Sequence, residues 1–189
     1  DYNYVFASEE SFGYMPHNKV RDKDAVASIA LMNEITLFYK LQNKTLIDAL
    51  DEIYEEFGFG QESLIALTFE GLSGRDTINR IMEYFRNKPE LSIGGQKTKF
   101  FTDFKPLTKY NIQTKETSKV EMTASNVLGF EFESGDLLYL RPSGTEPKIK
   151  FYTMVQVSEG DLQTKKELAS SKISAIESEI HKIIESLKE

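Results

Sequence analysis

The chain has 189 residues, 40% of them hydrophobic and 12% aromatic, with a net charge of −7 and no cysteine. That is enough apolar material for one or two packed domains; the missing cysteines exclude disulfides and thiolate metal sites and fit a cytoplasmic protein. The acidic balance argues against general nucleic-acid binding, which draws on a broad Lys/Arg surface, and charges punctuate every long apolar stretch, so no membrane span is expected. The opening Asp1-Tyr2-Asn3-Tyr4 is neither a basic signal region nor an initiator methionine and reads as a cut end.

In chain order, residues 2–6 alternate and predict a short strand that feeds a loop holding Glu9, Glu10 and Ser11. A helix is expected from Ala25, capped by Asp24, to about Leu41; its dense apolar positions, Val26, Ile29, Met32, Leu37 and Phe38 among them, predict a well-buried helix. A second helix is expected after Thr45 as cap, burying Leu46, Ile47, Leu50, Ile53, Tyr54 and Phe57 and stopping at Gly58. Phe57-Gly58-Phe59-Gly60 then marks a boundary, because two glycines release the helix and strand periodicity follows. Beyond it the pattern predicts a strand over 64–69, a helix over 74–87 ended by Pro89, and strands over 98–104, 129–133, 137–140 and 149–157. Residues 108–123 are polar and Lys-rich, a mobile hairpin or loop. A last helix over 162–187 carries Leu168, Ile173, Ile176, Ile180, Ile183 and Leu187 as one buried stripe.

The most informative segment is Arg141 to Lys150, RPSGTEPKIK, a tight loop between two apolar runs. Pro142 fixes φ, Gly144 permits a turn that a Cβ would resist, and Ser143 and Thr145 add hydroxyl donors beside Arg141. Arg141 can grip phosphate oxygens with two prongs, and successive amides in such a turn can form an anion-binding concavity. Arg141, Lys148 and Lys150 against Glu146 leave a local positive excess in an acidic chain. From these residues alone an ordinary Pro-Gly hairpin turn stays open as the alternative, as does a solvated acidic turn for Glu9 and Ser11.

RPSGTEPKIKFY resembles the phosphate-binding loop of the α-D-phosphohexomutase superfamily, the phosphoglucomutases and phosphomannomutases. Phe6 to Tyr14, FASEESFGY, resembles that family's sugar-recognition loop, and Val20 to Val26, VRDKDAV, the segment after it, in the family's order and spacing. The resemblance implies a carboxyl-terminal fragment: the remnant of an α/β third domain over residues 1–59, then a TATA-binding-protein-like α+β fourth domain over 60–189. It implies that Glu9, Ser11 and Lys23 bind the sugar and that Arg141, Ser143, Gly144, Thr145 and Lys148 bind its phosphate. It implies partners too: a phosphosugar substrate, with hexose 1,6-bisphosphate as intermediate, and the remaining domains of the same polypeptide, with no nucleic acid and no membrane.

The family's catalytic serine loop and its magnesium (Mg2+) loop belong to upstream domains, so no catalytic residue and no metal ligand is expected here. Thr123-Ala124-Ser125-Asn126 lacks the His-Asn-Pro that follows the catalytic serine, and Ser125 is read as entering a strand. Asp22 and Asp24 suggest a cation site but fall short of the three or more oxygen ligands a protein-built magnesium site needs. His17, beside Pro16, is read as a loop histidine or a weak substrate donor. Glucose, mannose and pentose phosphates all remain open, as does a non-catalytic phosphosugar-binding or regulatory protein.

Overall fold

The computed structural model describes residues 3–9, 13–71 and 73–187. The chain divides into two compact units, residues 1–56 and 57–189. Residues 57–59 go with the second, since Phe59 pairs with Val157 and Gln156 Nε2 donates to the Phe57 carbonyl at 3.3 Å.

The first unit is a small hairpin with two helices. Strands β1 (Ala7–Glu9) and β2 (Gly13–Met15) pair antiparallel, Ala7 opposite Met15 and Glu9 opposite Gly13. The strand expected over 2–6 is not formed in its described residues; Tyr4 instead donates its hydroxyl to the Met15 carbonyl at 2.5 Å. Helix α1 (Ala25–Lys40) begins as expected, with Asp24 accepting from the Ala27 amide at 3.0 Å. Helix α2 (Leu46–Phe57) begins on a reciprocal cap: Thr45 Oγ1 accepts from the Asp48 amide at 3.1 Å while Asp48 Oδ2 accepts from the Thr45 amide at 2.7 Å.

Burial of these helices is where expectation and structure part. No residue of α1 is buried, and in α2 only Ala49 is. Val26 is 81% exposed and Phe38 61%. The periodicity was correctly helical; this unit supplies no layer for the apolar faces to meet. An apolar groove of about 760 Å³ runs between the helices, lined by Leu31, Met32, Ile35, Phe38, Leu46 and Leu50 among others.

The second unit is an α+β sheet-and-helix layer. Its strands are β3 (Phe59–Thr68), β4 (Ser92–Ile93), β5 (Gln96–Asp103), β6 (Thr108–Asn111), β7 (Thr117–Lys119), β8 (Leu128–Phe132), β9 (Leu137–Pro142) and β10 (Lys148–Val157). They form an antiparallel sheet in the order β3-β10-β9-β8-β5-β6-β7, with β4 pairing on β5. Two helices, α3 (Gly74–Arg86) and α4 (Leu162–Ser186), cover one face. Strand β3 begins well before the expected start because its ten residues pair with all of β10. The polar segment over 108–123 forms the β6–β7 hairpin at the sheet edge.

Strict alternation in β9 and β10 sends Leu138, Leu140, Ile149, Phe151 and Val155 into the core. There Phe85 of α3 meets Phe130 and Phe151 edge-on, with centroids 6.1 and 5.9 Å apart. Helix α4 buries Ala169, Ile173, Ile176, Ile180, Ile183 and Ile184, but Leu168, expected in the stripe, is exposed; a three- to four-residue step from Ile173 reaches Ala169 instead. The β4–β5 turn is pressed against this helix. Gly94 has φ +59°, and a Cβ there would stand 2.6 Å from the Ile176 amide nitrogen, so only glycine fits.

One polar cluster is built into this layer. The wholly buried Asp136 carboxylate takes Lys172 Nζ at 2.8 Å and the Gln156 amide at 3.0 Å, tying the β8–β9 turn to α4 and β10.

Candidate functional site: a cationic hairpin and a Lys23–Glu9 pair

The loop between β9 and β10 is the tight connection the sequence predicts. Lys150 lies directly opposite Arg141, and Ile149 opposite Pro142. Because Ile149 and Phe151 point into the core, Lys148, Lys150 and Tyr152 turn to the other, helix-free face, which Arg141 and Tyr139 share. Arg141, Lys148 and Lys150 have no carboxylate partner among the described residues; Lys150 Nζ lies over the Tyr152 ring, 5.7 Å from its centroid. Like charges facing each other across strands are destabilising. Lys23, Lys44, Arg86, Lys109, Lys115 and Lys172, by contrast, each meet a carboxylate. On the same face, burial and then the Glu131 charge push the Tyr139 hydroxyl above its usual range, so it stays neutral.

Two expectations for this loop need correction. Gly144 does not take a positive φ, and a Cβ there would meet no atom within 4 Å, so the turn itself does not demand glycine. The amides do not form an open concavity either. Ser143 Oγ accepts from the Thr145 and Glu146 amides at 3.4 and 3.2 Å, the Ser143 amide donates to Lys148 O, and the Lys148 amide donates to Glu146 O, both at 2.8 Å. Gly144 carries the one loop N–H without a partner among the described residues, and the space beside it is open. Bare backbone of this kind suits close approach by a ligand. The Ser143 hydroxyl won the other amides because a serine two or three residues upstream is within reach of them, a local competition that composition does not display.

In the first unit the structure brings two predicted residues together: Lys23 Nζ lies 3.2 Å from Glu9 Oε1 and 3.0 Å from Asp22 Oδ1. Hydrogen bonds to Asp22 and then Glu9 raise the Lys23 ammonium above its usual range, while the Lys23 amide, then its ammonium, holds the Asp22 carboxyl below its own. Ser11 falls outside the described residues. His17 Nδ1 accepts from the Lys19 amide at 3.3 Å, and its Nε2 is 3.8 Å from Asp24 Oδ2, which caps α1. Ser125 lies ahead of β8, its amide donating to Phe104 O at 3.0 Å. Arg86 holds the neighbouring Asn126 at 2.9 Å, so this segment is fastened to α3. Two residues were not on the sequence-based list. Lys150 was legible as a charge, but its place opposite Arg141 is a matter of register; Gly13, beside Lys23, gave no signal.

No family model matches the chain. Over 154 residues, 82% of its length, it is 42% identical to a phosphoglucomutase of Staphylococcus aureus strain bovine RF122 / ET3-1. The chain belongs to the phosphoglucomutase family. The phosphoglucomutase of strain N315 is 40% identical over 159 residues, 84% of the chain. The chain spans 28% and 29% of the lengths of these two relatives. The backbone is similar to the open form of the exocytosis-sensitive phosphoprotein pp63/parafusin, a phosphoglucomutase from Paramecium. That match has a TM-score of 0.54 at 17% identity and covers 92% of this chain and 30% of the other, a likeness of fold. No helix among the described residues is long and apolar enough to cross a membrane.

Proposed function

We propose that the chain is the carboxyl-terminal, substrate-binding part of a cytoplasmic phosphohexomutase of the phosphoglucomutase type, comprising part of a third domain (1–56) and a fourth domain (57–189). The observation that carries this reading is Arg141 opposite Lys150, with Lys148 beside them, uncompensated by any carboxylate among the described residues in a chain of net charge −7. An anion seated there removes the like-charge cost. The apolar groove between α1 and α2 and the exposed apolar residues spread around α1 support the domain reading, since a helix apolar on most sides belongs inside a larger layer.

In this reading the Arg141 guanidinium and the Lys148 and Lys150 ammonium groups hold the phosphate that is not transferred. The Ser143 and Thr145 hydroxyls and the Gly144 amide close around it. Glu9 accepts from a sugar hydroxyl, Ser11 donates to a neighbouring one, and Lys23 supplies positive charge beside them. Binding energy from the unreactive phosphate orients the distant reacting oxygen. Chemistry belongs to the upstream chain, where a serine cycles its phosphoryl group through hexose 1,6-bisphosphate. Magnesium, when bound, offsets charge on the transferring phosphoryl group; among the described residues no group of three or more His, Asp or Glu is placed to hold it. On this reading the 189-residue chain by itself is expected to be inactive.

Arg141→Ala in the full-length enzyme tests the reading. Loss of a charge-assisted phosphate contact should lower kcat/KM for glucose 1-phosphate by roughly 2–4 kcal/mol of transition-state stabilisation. Kinetics equal to wild type with the fold intact would refute it.

A further inference from the structure

The arrangement of Glu9 and Lys23 depends on an absent side chain. Gly13 is buried although its hairpin is exposed, and the aliphatic stem of Lys23 covers it. A Cβ at position 13 would stand 2.3 Å from Lys23 Cδ, 2.5 Å from Lys23 Cγ and 3.3 Å from Glu9 Oε2. The first two distances are far inside the ordinary separation of carbon atoms, so a methyl group and this lysine position exclude each other.

Two backbone pairings fix the reach. Gly13 lies directly opposite Glu9 in the hairpin, and the Asp24 amide donates to Tyr14 O at 3.0 Å, joining the residue after Lys23 to the residue after Gly13. From that anchor the Lys23 stem crosses the bare Gly13 backbone and brings Nζ to Glu9. Gly13 is not in the positive-φ region, so the position demands space and not backbone freedom, and alanine can keep the hairpin conformation.

We infer that Gly13 is a positioning residue for sugar-phosphate binding: its missing side chain sets the Lys23 ammonium beside the Glu9 carboxylate. The inference rests on the reading of Glu9 and Lys23 given above. The obstacle a methyl would meet is the middle of a flexible side chain, which swings aside. Lys23 then leaves Glu9 and stays with Asp22, and the fold survives.

A double-mutant cycle in the full-length enzyme, assayed with glucose 1-phosphate, tests this. Gly13→Ala should raise KM about tenfold, in line with a displaced charged hydrogen-bonding group, with Tm unchanged. Lys23→Ala should raise it by a similar factor, and adding Gly13→Ala to Lys23→Ala should change KM by less than about twofold, because the stem is already gone. Wild-type KM in Gly13→Ala, or effects that multiply in the double variant, would overturn the inference. If Gly13→Ala fails to fold, the double variant decides: recovery of folding supports the contact, and failure of both overturns it. Unchanged KM in both Lys23→Ala and Glu9→Ala would instead overturn the sugar-loop reading itself, an outcome distinct from multiplying effects.

Discussion

The two units treat the same kind of apolar pattern in opposite ways. In residues 57–189, Phe85, Phe130 and Phe151 have no measurable exposure, and six α4 side chains from Ala169 to Ile184 fill the space under the sheet. In residues 1–56, α1 is just as rich in apolar residues and buries none of them. Apolar periodicity thus states a demand for a partner layer; whether the demand is met depends on which chain is present to supply one. The second unit carries its own partner layer and should behave as an autonomous folding unit, whereas the first leaves its apolar helix faces largely open and caps its helices by local hydrogen bonds.

The largest expected effect would break this comparison most directly. Phe85→Ala should cost roughly 3–5 kcal/mol in urea unfolding of the chain, through lost burial and an unfilled cavity. Phe38→Ala, on the open face of α1, should shift the same transition by less than about 0.5 kcal/mol. Comparable losses at the two positions would mean that α1 is covered after all.

The buried Asp136–Lys172 pair sharpens the picture of the second unit. Burial pushes the Asp136 carboxyl up, but Lys172, the Gln156 amide, Ser134 and Gln96 outweigh it and hold the group below its usual range. Its folded value being depressed, the carboxylate contributes stability above its unfolded value near about 3.9 and loses it as pH falls through the lower folded value. Asp136→Ala should cost roughly 2–4 kcal/mol at neutral pH. The gap between wild type and Asp136→Asn should close as the pH is lowered past that window, measured by denaturation at a series of pH values. A gap constant with pH would remove the charge from the explanation.

Smaller effects separate the Glu9 loop from Ser125. In the full-length enzyme Glu9→Ala should lower kcat/KM by roughly 1–3 kcal/mol and change the ranking of glucose 1-phosphate, mannose 1-phosphate and ribose 1-phosphate, since a hydroxyl acceptor is gone. Ser125→Ala should alter kcat/KM by less than about 0.5 kcal/mol. Abolished phosphorylation in Ser125→Ala alongside unchanged ranking in Glu9→Ala would reverse both assignments.

Local chemistry explains what was legible in advance. Caps are set by residues three apart, so Asp24 and Thr45 could be assigned from the sequence. Two apolar runs, 137–140 and 149–157, placed the segment from Arg141 to Lys148 at a turn between strands, as it is. The two-residue strand β4 was missed because it exists only through pairing with β5 and the close approach of Gly94 to α4. The Ser143 hydroxyl's capture of two amides was missed for a different reason: which acceptor an N–H finds depends on ångström-scale geometry inside the loop.

The sequence by itself determined the family, through two loops with residue types in a fixed order, and the helices and strands, through periodicity and capping between residues close along the chain. Tertiary structure alone decided which apolar faces are covered, that Arg141 faces Lys150 across strands, and that Gly13 makes room for the Lys23 stem on its way to Glu9. Each of these depends on distances between residues remote in sequence, fixed by register and packing together; a linear pattern of residue types carries the chemistry of each group but not its separation from the next.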